Sequence, residues 1–154
     1  LIITKSGPKV IEFNCRFGDP ETQVVLPILD GDFLELLYSA AVGNINLEAV
    51  KYSGGCSVCV VASSKGYPEE YEKGFVIDGL EHKVDDVIVY HAGTKKQMNN
   101  VVTNGGRVLG VTSVLKSFDL KLAKEKAYNA INQIHFNGIY FRKDISDKAY
   151  KHLE

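Results

Sequence analysis

Residues 10–23 read VIEFNCRFGDPETQ, and this stretch gathers several polar groups at the end of an apolar run. Its alternation of polar and apolar residues predicts a β-strand over residues 10–16, on which successive side chains point to opposite faces. Glu12, Asn14 and Arg16 would then share one face. A carboxylate, an amide oxygen and a guanidinium in one row, roughly 7 Å apart at alternate positions, are groups that hold a divalent metal and bind phosphate oxygens.

The other face of this strand would carry Ile11, Phe13 and Cys15, and we expect it to pack on a core. The same alternation is typical of an edge strand whose polar face simply meets water, so the pattern alone leaves both interpretations open. The following residues favour a binding site, because Asp19 can cap a helix and Pro20 suits its first position. A helix beginning there would offer backbone donors to an anion in the same region.

The composition fits an ordinary globular chain. It has 154 residues, of which 45% are hydrophobic, with 18 basic and 19 acidic residues and a net charge of −1. One domain, or one domain with a fragment of another, is expected. The balanced charge argues against a nucleic-acid-binding surface, and no apolar run approaches the about 20 residues of a membrane span. Three cysteines, an odd number, favour a cytoplasmic protein over a disulfide framework.

The first half of the chain predicts a hairpin followed by short helices. Residues 1–4 and 10–14 would pair around a Gly/Pro turn at residues 5–9. Helical segments are predicted at residues 21–29, at residues 33–42 after an Asp32 cap, and at residues 46–50. The apolar stripe of the middle helix would comprise Phe33, Leu36, Leu37 and Ala40. Because the chain opens on an apolar strand without Met, we expect it to be the C-terminal portion of a longer protein.

The second half is richer in strands. Extended segments are predicted at residues 56–63, 75–77, 87–91, 101–103 and 107–112, with a hairpin between the last two across Asn104-Gly105-Gly106 rather than a phosphate-binding glycine loop. Ser117 can cap a long helix over residues 118–136. Its buried stripe would comprise Leu120, Ala123, Ala127, Ile131 and Ile134. An extended piece at residues 139–142 and a helix at residues 147–153 complete an α+β unit.

Other candidate residues have both a structural and a functional interpretation. Cys56 and Cys59 match C-x-x-C, but three residues apart on a strand they face opposite sides. We therefore expect small buried residues and not a zinc or redox site. His91 can contact a phosphate or make a structural hydrogen bond. Arg107 and Arg142 can bind an anionic sugar phosphate or be ordinary surface cations.

The pattern Glu-x-Asn-x-Arg at the end of a strand resembles the metal-binding strand of the ATP-grasp ligases. The longer string from Glu12 to Gln23 resembles the phosphoribosylamine–glycine ligase family, also called glycinamide ribonucleotide synthetase. Later strings resemble the C-terminal domain of the same family in the same order, namely SKGYP at 64–68, HAGT at 91–94, NGGRVL at 104–109 and YFRKDI at 140–145. The resemblance covers essentially the whole chain, with small departures at Ser146 and at residues 84–87.

This resemblance implies an α+β fold in two parts. Residues 1–50 would be the end of an ATP-grasp domain, and residues 51–154 a small β-rich C-terminal domain with one long helix. It also implies a cytoplasmic enzyme of purine biosynthesis. That enzyme would ligate glycine to 5-phosphoribosylamine and convert ATP to ADP and phosphate through a glycyl phosphate intermediate.

Carried over residue by residue, the resemblance implies that Glu12 and Asn14 hold Mg²⁺ (or Mn²⁺). Arg16 would contact phosphate in a catalytic and ATP-binding role, its structural alternative being an ion pair with Asp19 or Glu21. Asp19 would contact substrate, cap the helix, or do both.

The implied partners are glycine, 5-phosphoribosylamine, ATP and the missing N-terminal domains, with no nucleic acid and no membrane. The isolated chain is expected to be inactive. Two alternatives stay open: another ATP-grasp ligase or carboxylase, and a non-catalytic interaction module with the same fold.

Overall fold

The computed structural model describes residues 1–13 and 15–150, so Asn14 and residues 151–154 lie outside the described part. The described chain forms ten strands and four α-helices. The strands are β1 (Ile2–Thr4), β2 (Gly7–Lys9), β3 (Leu29–Gly31), β4 (Val50–Tyr52), β5 (Cys56–Ser64), β6 (Val87–His91), β7 (Thr94–Gln97), β8 (Asn100–Thr103), β9 (Arg107–Leu115) and β10 (Ile139–Tyr140). The helices are α1 (Glu21–Val25), α2 (Phe33–Ala41), α3 (Leu120–Ile131) and α4 (Asp147–Tyr150), with 3₁₀ turns at Leu26–Ile28 and Leu47–Ala49.

A four-stranded antiparallel sheet in the order β10-β5-β9-β6 forms the centre of the molecule. Its two long strands, β5 and β9, pair so that Val60 lies opposite Val111, and Val89 of β6 lies opposite Val111 on the other side. Both long strands are buried along most of their length, as the continuous apolar run at residues 56–63 predicted. The mixed fold of antiparallel strands with few helices is the predicted one.

Helix α3 covers one face of this sheet. Ala123, Ala127 and Ile131 have no exposed surface, and they join a core that includes Val60, Leu109 and Val111. Small alanines on this face let the helix approach the sheet closely, which explains why its stripe alternates small and large residues. The predicted stripe is confirmed, with Ile134 buried just beyond the end of the helix.

Helix α1 and the 3₁₀ turn that follows it pack on the opposite face of the same sheet. The Ser57 hydroxyl of β5 donates to the carbonyl of Val24 at 2.5 Å and fixes this contact. The sheet is therefore the middle of three layers. The loop at residues 15–20 leads directly into α1, and Arg107 at the start of β9 bonds Asp19 within it, so the sheet positions this loop.

The first hairpin differs from the prediction. Strands β1 and β2 pair Ile2 with Lys9 and Thr4 with Gly7, so the turn is Lys5-Ser6 and Gly7-Pro8 lies within a strand. The Thr4 hydroxyl donates to the Gly7 carbonyl at 2.8 Å and closes this tighter turn. The predicted strand over residues 10–16 is wrong for its described residues, which form no regular element.

The predicted burial of the apolar residues in this segment is also wrong for the chain as it stands. Ile11 is 67% exposed, Phe13 is 84% exposed, and Cys15 is exposed. These side chains follow a two-stranded ribbon that no further described strand extends. Without a neighbouring strand or layer, an apolar alternation cannot be buried.

The early helices are shorter than predicted. Helix α1 ends at Val25, and the chain passes through a 3₁₀ turn with Pro27 near its start into β3, which pairs with β4. Proline has no N–H to continue an α-helix, which accounts for the early end. Asp32 caps α2 as predicted, accepting from the Glu35 N–H at 2.9 Å. On its stripe Phe33 and Leu36 are half-buried, whereas Leu37 and Ala40 are exposed.

The long helix begins later than predicted and ends earlier. Asp119, not Ser117, is its N-cap and accepts from the Leu122 N–H at 2.9 Å. The helix ends at Ile131, since residues 132–136 turn to pair His135 with Asp78 in an isolated bridge. The extended piece at residues 139–142 is confirmed in part by β10. The closing helix is confirmed to Tyr150, and the rest of that prediction lies outside the described residues.

The predicted hairpin between residues 101–103 and 107–112 is wrong. Strand β8 pairs with β7 across a turn at Met98, whose φ is 53°. Strand β9 instead lies between β5 and β6, so both of its edges are already paired. Residues 75–77 form a single bridge, Val76 to Val102, and not a strand. No helix among the described residues is both long and apolar enough to cross a bilayer.

Candidate functional site

The loop at residues 15–19 carries Arg16 and Asp19 and reaches the end of the central sheet at which β6 ends and β9 begins. Arg16 is exposed, and its Nη1 donates to the carbonyl of its neighbour Phe17 at 2.7 Å. The alternative ion pair with Asp19 or Glu21 is not among the ion pairs of the described residues. Most of the five donors of this guanidinium are thus available to a phosphate.

Asp19 makes three contacts that the sequence did not predict. Its carboxylate accepts from Gln23 Nε2 at 2.9 Å and from Arg107 Nη1 at 3.0 Å, and its carbonyl accepts from the same Arg107 nitrogen at 2.8 Å. Its predicted role as helix cap is wrong, because Pro20 occupies the cap position without any side-chain hydrogen bond. The hydrogen bond from Arg107 to Asp19 raises the pKa of the guanidinium above its ordinary value.

The Arg107 guanidinium lies over the ring of Tyr67, 5.8 Å from its centroid. Gly106 precedes it, and a Cβ at that position would overlap the Tyr67 ring. The two glycines of the NGGR string are therefore required for close packing and not for a hairpin turn: Gly105 lies against Gly93, and Gly106 against Tyr67. Sequence reasoning missed Tyr67 because no local pattern connects it to Asp19.

A cleft of about 410 Å³ opens beside the loop. Asp19, Thr22 and Gln23 line one side, and Tyr90 and His91 at the end of β6 line the other. His91 Nδ1 and Thr94 Oγ1 are 3.0 Å apart, so the structural hydrogen bond predicted as one option is present, and the histidine also borders the cleft. A ligand in this cleft would contact both the loop and the sheet.

A second cavity, of about 310 Å³, lies on the other side of the Asp19–Arg107 contact. Its walls include Pro20, Tyr67, Arg107 and Arg142. The Arg142 guanidinium is paired with Asp144 at 2.6 Å, and this pairing lowers the pKa of the Asp144 carboxyl. Neither arginine is therefore an unpaired cation in this structure.

The predicted burial of the two C-x-x-C cysteines is confirmed. Cys56 and Cys59 are both buried thiols, on opposite faces of β5. Cys56 belongs to the core under α3, whereas Cys59 lies under α1, where a Cβ at Gly110 would approach its sulfur. Burial raises the pKa of the Cys59 thiol, which disfavours the reactive thiolate.

Of the two predicted metal ligands, Glu12 belongs to the described residues and Asn14 lies outside them. Glu12 is exposed, so its carboxylate is open to an incoming ligand. The described residues contain no cluster of three His, Cys, Asp or Glu side chains able to enclose a metal ion. One carboxylate and one amide oxygen, the donors predicted from the sequence, do not fit a structural zinc site. They fit Mg²⁺, which is held by one or two protein oxygens together with phosphate and water.

Two family models match the chain in order. Residues 57–148 match the family described as "Phosphoribosylglycinamide synthetase, C domain", and residues 1–22 match "Phosphoribosylglycinamide synthetase, ATP-grasp (A) domain". With the antiparallel sheet and the loop it positions, these matches show a segment of an ATP-grasp domain followed by a C domain. More particularly, the chain belongs to the phosphoribosylglycinamide synthetase family, because the C-domain match covers more than half of it.

Relatives and a solved structure agree with this assignment. The chain is 51% identical over 146 residues to a phosphoribosylamine–glycine ligase from Caldanaerobacter subterraneus, covering 95% of this chain and 34% of the relative. It is 50% identical to the "Bifunctional purine biosynthetic protein purD" of Dictyostelium discoideum, covering 94% of this chain and 18% of the relative.

Among solved structures, the chain resembles the phosphoribosylamine–glycine ligase of Thermotoga maritima with a TM-score of 0.77 at 31% identity. That likeness covers 93% of this chain and 34% of the other. The chain thus spans about a third of the length of the first of these relatives and of the solved structure.

Proposed function

We propose that this chain is the C-terminal part of an enzyme that ligates glycine to 5-phosphoribosylamine in purine biosynthesis. The observation that carries this proposal is the match, in order along the chain, to the ATP-grasp and C domains of one ligase family. The activity belongs to the longer protein, and the chain contributes one part of its site.

In the proposed reaction a glycine carboxylate oxygen attacks the γ-phosphorus of ATP, and ADP leaves. The amine of 5-phosphoribosylamine then attacks the acyl carbon of glycyl phosphate, loses a proton, and phosphate leaves with the former carboxylate oxygen. Phosphoryl transfer depends mainly on positioning and on charge stabilisation, so it asks for few reactive side chains. The exposed carboxylate of Glu12 and the exposed guanidinium of Arg16, close together in the chain, are consistent with that demand.

Within this site, Glu12 and Asn14 would hold Mg²⁺ or Mn²⁺, which when bound neutralises phosphate charge. Arg16 would bind phosphate oxygens of ATP or of the transferred group through its remaining donors. Asp19 would contact a substrate from the cleft side. Each of its oxygens accepts one hydrogen bond here, and an ionised carboxylate has about four acceptor sites.

The partners we propose are the three small-molecule substrates and the N-terminal domains of the same enzyme. The exposed apolar side chains of Ile3, Ile11 and Phe13 support an intramolecular partner layer, because burying them would complete the alternation seen in the sequence. We also propose a domain boundary near residue 50, consistent with family matches that end at residue 22 and resume at residue 57. Free cysteines agree with a cytoplasmic location.

An acid-specificity assay on the full-length enzyme tests this function. Phosphate release from ATP should require glycine and 5-phosphoribosylamine together, with other amino acids and bicarbonate giving background rates. Turnover with another acid would favour a different ATP-grasp ligase or carboxylase. No turnover with any acid, from a folded full-length protein, would favour the non-catalytic interaction module.

A further inference from the structure

We propose that Arg107 is a positioning residue for this reaction, and that it holds the loop at residues 15–19 in its active geometry through Asp19. The inference rests on the proposed function. Asp19, Tyr67, Gly106 and Arg107 are called the Asp19 cluster here. Its members come from three separate parts of the chain, and the ion pair joins residues 88 positions apart.

The contact fixes the backbone as well as the side chain. A single nitrogen, Nη1 of Arg107, donates both to the Asp19 carbonyl at 2.8 Å and to its carboxylate at 3.0 Å. Gln23 Nε2 donates a hydrogen bond to the other carboxylate oxygen of Asp19 at 2.9 Å. Arg16 lies three residues before Asp19, so the position of the Arg16 guanidinium depends on how this loop is held.

The backbone that leads into Arg107 is held in place by hydrogen bonds. The buried Ser64 donates from its N–H to the Gly106 carbonyl at 2.8 Å and from its hydroxyl to the Gly105 carbonyl at 2.9 Å. The Tyr67 ring lies beneath the guanidinium, and it can do so because Gly106 has no side chain. The start of β9 thus holds the loop at residues 15–19. Supporting a loop from a regular element in this way is how a scaffold positions catalytic groups.

The exposure of the ion pair separates positioning from stability. The Arg107 and Asp19 side chains are 40% and 43% exposed, and ion pairs exposed to this degree contribute little to folding stability. Displacement of a catalytic group by about 1 Å can nevertheless lower turnover about 10²-fold. Breaking the contact should therefore change kcat far more than it changes the unfolding midpoint.

The test compares Arg107→Gln, Asp19→Asn and the double variant in the full-length enzyme. We expect kcat to fall by about 30- to 100-fold in each single variant, and the double variant to be no worse than Asp19→Asn. In Arg107→Gln, KM for 5-phosphoribosylamine should change less than about twofold, because a positioning residue makes no contact with this substrate. Arg107→Lys should recover part of the loss, since one ammonium can reach both acceptors.

Lys126→Gln is the matched control. It removes an ion pair of 2.8 Å to Asp86 in another part of the molecule and should leave kcat unchanged. A higher KM for 5-phosphoribosylamine in Arg107→Gln, additive with Asp19→Asn, would overturn the inference and make Arg107 a substrate ligand. Unchanged kcat in both single variants would also overturn it. An inactive wild-type enzyme would instead overturn the proposed function, and this inference with it.

Discussion

At the scale of single residues, Glu12 gives the sharpest prediction about chemistry. Its side chain is exposed, so removing the carboxylate should not disturb packing. If it holds the metal, Glu12→Ala in the full-length enzyme should lose several kcal/mol of transition-state stabilisation, a fall in kcat of about 10³-fold or more. Steady-state kinetics measure this loss, and circular dichroism checks that the fold is intact.

Glu125→Ala is a suitable control for that experiment, because Glu125 is also an exposed glutamate and lies on α3, on the opposite side of the sheet from α1. It should retain full activity. Near-normal kcat in Glu12→Ala would contradict the metal assignment.

Residue roles could be read from the sequence where they depend on neighbours in the chain. Asp32 is followed by a helix whose first turn needs an acceptor, and it caps that helix as predicted. Asp19 has the same local context, yet its carboxylate is taken by Gln23 and by Arg107. The Arg107 contact crosses from the loop before α1 to the start of β9, and no local pattern contains it.

At the scale of elements, the start of α3 offers a direct comparison of two candidate caps. Asp119 accepts from the Leu122 N–H, so Asp119→Ala should lower the free energy of unfolding by about 1 kcal/mol. Ser117 is exposed and lies before the helix, and Ser117→Ala should stay within about 0.5 kcal/mol of wild type. Urea denaturation of both variants measures the difference. A larger loss for Ser117→Ala would contradict the observed helix start.

The long elements of the core were predictable, whereas the pairing partners of the strands were not. The continuous apolar run of β5 and the alanine-rich stripe of α3 are both recovered in the core. Asn104-Gly105 predicts a hairpin because Asn-Gly is the usual hairpin signal. Instead, β5 pairs with one edge of β9 and β6 pairs with the other. Pairing between distant strands is decided by the whole sheet.

At the scale of the whole molecule, we propose that the chain supplies one part of a binding site. The described residues offer one loop with exposed polar groups and apolar side chains that no described element covers. We therefore predict that the isolated chain binds Mg·ATP weakly and does not catalyse. Isothermal titration calorimetry should give no heat that fits a dissociation constant below the millimolar range, about −4 kcal/mol of binding free energy. Micromolar binding would contradict this prediction.

The central claim is that glycine is activated as an acyl phosphate by the enzyme to which this chain belongs. Glycine labelled with ¹⁸O in its carboxylate tests it most directly, with the full-length enzyme, ATP and 5-phosphoribosylamine, by mass spectrometry of the phosphate released. We expect one ¹⁸O atom in each phosphate that is released, because the attacking carboxylate oxygen leaves with the phosphoryl group. Phosphate free of ¹⁸O, released at the same rate as the ligated product, would contradict it.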